Sequence, residues 1–123
     1  MIRLIAIAVG GAIGALLRFW LSTSTYAILG RNFPYGTLAV NILGCLLIGF
    51  LYVLMLERLT DASLRAAVLV GLLGAFTTFS TFSLETLNLL LDGSQVKAFL
   101  NVITSIVFCL LATWLGMVLA RQL

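Results

Sequence analysis

Four stretches of this chain carry almost no charge, and their lengths leave few folds open. Residues 4–29 hold only Arg18, and residues 32–56, 66–84 and 98–120 hold no Asp, Glu, Lys or Arg at all. A helix needs roughly 17–25 apolar residues to cross a bilayer. Inside the hydrocarbon a backbone can satisfy its polar groups only as a helix or a closed barrel. The runs therefore predict an all-α integral membrane protein with transmembrane helices near 3–26, 35–56, 64–91 and 96–120. Residues 30–34, 57–63 and 92–94, rich in Gly, Pro, Asn, Asp and Ser, read as the connections. The four spans take up nearly all of the 123 residues, so a single four-helix transmembrane domain, 1–123, is expected. Arg3 followed by an apolar run imitates a signal peptide, but the run reaches Arg18 without a small-residue cleavage site and reads as a permanent helix.

Composition removes most other function classes. Charged residues make up 9% of the chain against about 25% in ordinary globular proteins. The net charge of +3 is scattered, which speaks against nucleic acid and against a dedicated lipid-headgroup cluster. Cys45 and Cys109 fall in mid-span and read as small apolar residues. With no His and no cysteines at ligand spacing, no zinc or redox-metal site is expected. The four acids are Glu57, Asp61, Glu85 and Asp92, all in connections or toward a span end. A small multidrug-resistance-type exporter, the alternative reading, exchanges protons for organic cations on a carboxylate in its first helix, and this first span has none. No nucleophile, base and orienting group lie together, so the chain is not read as an enzyme.

Lys and Arg divide almost evenly between the two sides. Arg3, Arg58, Arg65 and Arg121 fall on one, Arg31 and Lys97 with Arg18 nearby on the other. Orientation follows an excess of such residues on the cytoplasmic side. Near balance permits insertion both ways, and hence an antiparallel homodimer.

One segment breaks the apolar monotony. Residues 74–86 read GAFTTFSTFSLET, with four Thr, two Ser and one Glu among three Phe. A lone hydroxyl in a membrane helix usually bonds back to its own backbone, but this density after Gly74 predicts a helix broken in mid-span. Irregular backbone at membrane depth is tolerated only when buried in protein or lining a wet cavity, so the break points to an ion site. Phe79 and Phe82, at i and i+3, share a face, as do Ser80 and Ser83. Aromatic rings are positive at their edges, which suits an anion, although phenylalanines more often only pack. Asn41, deep in the second span, offers two amide donors. Arg18 either snorkels to the interface or raises the potential at a pore mouth.

Gly74 with Thr77-Thr78-Phe79-Ser80-Thr81-Phe82-Ser83 and Glu85 resembles the signature of the small fluoride channels, the Fluc (CrcB) family. Gly11, Gly14 and Arg18 in the first span, and Gly36, Thr37 and Asn41 in the second, resemble its other motifs in the same order. The resemblance implies an antiparallel, dual-topology homodimer in a bacterial inner membrane that exports fluoride passively through two pathways. It implies that Phe79 and Phe82 turn their edges to the ion, that Asn41 donates nearby, and that Thr37, Ser80, Ser83 and Thr113 line the path. Glu85 falls at a vestibule and Arg18 near the aqueous entrance. The carbonyls of Gly74 and Thr77 are implied to hold a structural sodium ion on the two-fold axis. The sequence departs from the family pattern at Asn101, where relatives commonly carry Tyr, which leaves the roles of Asn101 and Ser105 open.

Overall fold

The computed structural model describes residues 1–58 and 61–123; Leu59 and Thr60, in the 57–63 connection, lie outside the described residues. Helix α1 spans Ile2–Leu29 and α2 spans Tyr35–Arg58. The third span is composite. It begins with α3, Ala62–Arg65, continues as a π-helical segment, Ala66–Leu72, and then as α4, Leu73–Phe76, before α5, Phe79–Leu91. Helix α6, Gln95–Arg121, closes the chain. All four spans are long and apolar enough to cross a membrane, and the protein is a multi-pass membrane protein.

Local chemistry sets the ends. Gly30, at φ 83°, closes α1 by donating its N–H to the Tyr26 carbonyl, a backbone region that other residues rarely enter. The Pro34 carbonyl receives the Leu38 N–H at 3.1 Å as α2 begins. The Asp61 carboxylate accepts from the N–H groups of Ser63 and Leu64 and so caps α3. After α5, the N–H of Ser94 reaches the Leu89 carbonyl at 2.8 Å and that of Gly93 the Leu90 carbonyl at 3.1 Å. This is the paired closure that lets a left-handed glycine end a helix.

Two seams hold the bundle. Helix α1 lies on the π segment and α4, and α2 lies along α6. Both are backbone-to-backbone. A Cβ at Gly10 or Gly14 would overlap the backbone of Ala67 or Leu72, and one at Gly71 that of Ile7. A Cβ at Gly49 would overlap the Thr113 carbonyl, and one at Gly116 the Leu46 carbonyl. Small residues that let helices approach closely are the usual device where lipid removes the hydrophobic drive for association. The interior is accordingly small and partly polar, with Val40, Leu73 and Asn101 nearly inaccessible, while Leu, Ile, Phe and Trp side chains cover the outside.

Candidate functional site

The third span departs from helix at two residues. Thr77 (φ −79°, ψ 155°) and Thr78 (φ −148°, ψ 115°) are extended, between the end of α4 and the start of α5. Helical bonds lost there have identifiable replacements. The Thr78 hydroxyl accepts the Thr81 N–H at 3.2 Å, capping α5, and donates to the Thr81 hydroxyl at 3.0 Å. The Asn41 carboxamide lies against the Thr78 peptide edge, with Oδ1 accepting the Thr78 N–H at 2.8 Å and Nδ2 donating to the Thr78 carbonyl at 3.0 Å. Asn41 thus does for Thr78 what a neighbouring β-strand residue does. The second Nδ2 hydrogen remains available, since an amide has two donors. No donor among the described residues reaches the carbonyls of Gly74 or Thr77.

Around this junction lie four cavities. The first, about 350 Å³, is lined by Asn41, Thr77, Thr78, Phe79, Phe82 and Ser105, with Cys45 and Cys109 in its wall. None of its lining residues is charged. Phe79 and Phe82 separate it from a second space of about 420 Å³, where Ser83 and Thr86 line the far side. The two rings sit 5.3 Å apart between centroids and are tilted by 46°. Phe79 is 78% exposed, whereas Phe76, on the other side of the break, is 5% exposed and lies next to Gly44.

Behind Thr78 a third cavity of about 190 Å³ gathers Arg18, Ser22, Thr37, Thr78 and Thr81. Thr37 also links this cavity to Glu85, donating to Oε1 at 2.8 Å, and Tyr26 donates to the same oxygen at 3.2 Å. Glu85 Oε2 is enclosed and has no hydrogen-bond partner among the described residues. The Arg31 guanidinium covers the Tyr26 ring at 4.7 Å. Tyr26, Arg31, Glu85, Asn88 and Asp92 enclose a fourth cavity of about 210 Å³.

The structure thus brings together Asn41, Phe79 and Phe82 at one cavity and Arg18 and Thr37 at another, with Glu85 bonded to Thr37. Ser80 approaches the Thr78 hydroxyl at 3.3 Å. Ser83 lines the far side of the rings, but its hydroxyl is donated to the Phe79 carbonyl at 2.9 Å. Thr113 is not brought to the ring cavity. Its hydroxyl is donated to the Cys109 carbonyl at 3.0 Å, and α6 presents Ser105 to the rings instead. Asn101 is buried and donates to the Thr86 hydroxyl at 2.9 Å, joining α6 to α5. Sequence reasoning missed Tyr26 and Thr86 because their partners lie far away in the chain. Ser105 carried a weak signal, because Asn101, Thr104 and Thr113 are also polar in the same apolar run and nothing in the sequence singles it out.

Comparison with known proteins bears on this geometry. The family model described as CrcB-like protein, Camphor Resistance (CrcB) matches residues 5–117. A protein of Methylococcus capsulatus named fluoride-specific ion channel FluC is 60% identical over 99% of this chain, which spans 54% of that relative's length. Proteins of the same name from Magnetococcus marinus and Geobacter sulfurreducens are 55% and 49% identical, with 94% and 100% of each chain covered.

Proposed function

We propose, from the premise that this chain belongs to the CrcB-like family, that it is a fluoride-specific channel lowering cytoplasmic fluoride by passive export. The observation that carries this reading is the first cavity, where Asn41, Ser105 and the Phe79–Phe82 pair surround a space with no charged lining residue. Fluoride is small and strongly hydrated, so several donors must replace its water at once. Neutral donors do so without the fixed positive charge that would hold the ion. Conduction needs sites strong enough to admit an ion and weak enough to release it. The ring edges add positive potential, and Arg18 raises the potential from behind Thr78 without lining that cavity.

The path we infer runs past Arg18, Thr37 and Glu85, then Asn41, the rings and Ser80, with Ser83 beyond them and Thr113 further along α6. The two extended residues are its mid-membrane break. The assembly we infer is an antiparallel, dual-topology homodimer in the bacterial inner membrane. Two features support a partner chain at this face. Phe79 is largely uncovered, and a Cβ at Gly74 would meet nothing nearer than the Leu69 carbonyl at 3.9 Å. The free carbonyls of Gly74 and Thr77 form an all-oxygen donor set that fits the sodium ion the family implies. Such an ion would tie the two chains together through backbone alone, leaving the hydroxyl of Thr77 on the Leu73 carbonyl.

The test is efflux from liposomes containing purified protein. Fluoride should leave down its gradient and chloride should not, and Phe79→Ile and Phe82→Ile should abolish or sharply reduce the flux while dimer still forms. Equal flux for wild type and both variants would remove the rings from the pathway. Proton-driven uptake of organic cations in place of fluoride flux would establish the exporter alternative. For topology, added lysines that fix one orientation should silence either form alone, and coexpression of oppositely biased forms should restore flux. Activity from one fixed orientation would refute the antiparallel dimer.

A further inference from the structure

The α2–α6 seam has a regular register. Asn41, Cys45 and Gly49 climb α2 by one turn each, and Ser105, Cys109 and Thr113 climb α6 in the same steps. Gly49 abuts the Thr113 backbone, while Asn41 and Ser105 line one cavity, so the two helices run in parallel and pair these residues rung by rung. The middle rung is Cys45 and Cys109. Both line the same cavity wall. The close backbone approach at Gly49 and Gly116, one to two turns further on, holds the rung at short span.

We propose that Cys45 and Cys109 form a two-thiol site for a soft divalent d10 cation, with Hg2+ as its probe. Thiolates select soft metals, and the ligand number narrows the choice. Zinc takes four ligands in closed protein sites. Among the described residues no group of three or more Cys, His, Asp or Glu is placed to hold a metal, and the chain has no His. Two ligands suit a cation that is content with linear two-coordination. Charge decides between the soft ions. An uncompensated ion in apolar surroundings is costly, and a divalent ion between two thiolates is neutral. The exchange balances as HgCl2 plus two thiols giving a dithiolate mercury and two H+ and two Cl−, with no change in oxidation state. Neutral HgCl2 can also cross apolar surroundings to reach the wall. Holding both sulfurs on rigid neighbouring helices makes the second bond intramolecular, which raises affinity over either thiol alone.

One consequence rests on the channel reading: a metal bridging α2 and α6 in the wall of the ring cavity should slow fluoride efflux. The experiment titrates purified full-length protein with HgCl2, then desalts it against a small monothiol competitor. Mercury and remaining free thiols are counted per chain. One retained mercury with both thiols consumed and two protons released is expected. Loss of the metal to the same competitor is expected in Cys45→Ala and Cys109→Ala, each checked by size-exclusion chromatography. Two mercury ions per chain, or complete stripping from wild type, would overturn the site, and that result needs no variant to fold. Efflux is then read with and without mercury, each protein against its own metal-free rate. Retained metal with unslowed efflux would support the thiol site and refute the cavity as the fluoride path.

Discussion

The third span meets its neighbours in two ways that differ in kind. Its π segment lies against α1 where Gly10, Gly14 and Gly71 remove every atom that could keep the backbones apart. A few residues later, Thr78 meets α2 through the Asn41 carboxamide, which accepts the N–H that has no helical partner and gives the carbonyl a further bond. The first contact is made by taking side chains away, the second by supplying one. An intact helix in lipid has its polar groups satisfied and needs only close packing. An interruption leaves polar groups that lipid cannot satisfy, so it requires a specific partner at a specific distance. The seam serves as scaffold, and the junction holds the groups an ion can use.

The largest effect expected from attacking this contrast is on the seam. Gly14→Leu would drive a side chain into the Leu72 backbone, which cannot yield as a flexible side chain can. The cost should reach the top of the overpacking range, about 3 kcal/mol, and monodisperse protein should largely vanish on size-exclusion chromatography. Normal recovery would mean that the α1 contact is not rigid. The junction comes next. Asn41→Leu keeps the branched shape but leaves the Thr78 N–H unpaired, at about 1–3 kcal/mol for a buried group, while the Thr78 carbonyl, at the N-cap of α5, loses only its second bond. Thermal stability should fall, and fluoride efflux per surviving dimer should fall further. If stability falls while flux per dimer holds, Asn41 is scaffold and the contrast fails.

A smaller and more discriminating pair is Phe76→Ile against Phe79→Ile. Phe76 is 5% exposed and Phe79 is 78% exposed, so the first should cost about 1–2 kcal/mol in repacking and the second very little. Flux should move the other way, nearly intact per dimer for Phe76→Ile and lost for Phe79→Ile. Matching losses would erase the distinction between core ring and pathway ring. The smallest effect on the protomer belongs to Gly74→Ala, whose Cβ meets only the Leu69 carbonyl at 3.9 Å. Folding of the protomer should change by no more than about 0.5 kcal/mol, as for ordinary surface substitutions. A fall in assembled dimer at unchanged helicity, measured by circular dichroism and chromatography, would locate the partner chain against this face.

The four spans were legible because charge-free length is a one-dimensional property, and each predicted boundary lies within three residues of the observed helix end. The family was legible from a dense local motif. What the sequence did not disclose depends on rotation and register between distant helices. Cys45 and Cys109 are 64 positions apart and read as unrelated apolar residues; only the parallel register of α2 and α6 makes them neighbours. The Tyr26–Glu85 bond spans 59 positions and depends on how the 30–34 turn returns the chain. The π segment has no compositional mark, since Ala-Ala-Val-Leu-Val-Gly-Leu reads as plain α-helix. The resemblance implied a path role for Thr113, whose hydroxyl is bonded within α6, while Ser105 lines the ring cavity.

The pairing of Asn41 with the Thr78 peptide also restricts the alphabet at that position. A surrogate for a facing peptide must present one donor and one acceptor from the same planar group, attached directly to Cβ. Asp has the reach but loses the donor, setting one of its oxygens against the Thr78 carbonyl. Gln has both groups one methylene too far out, and Ser or Thr offers a single atom where two are used at once. Only one of the twenty letters meets these conditions. Functional copies surviving a saturation library at this codon should therefore converge on asparagine, while the apolar lipid-facing positions beside it drift freely among Leu, Ile, Val and Phe.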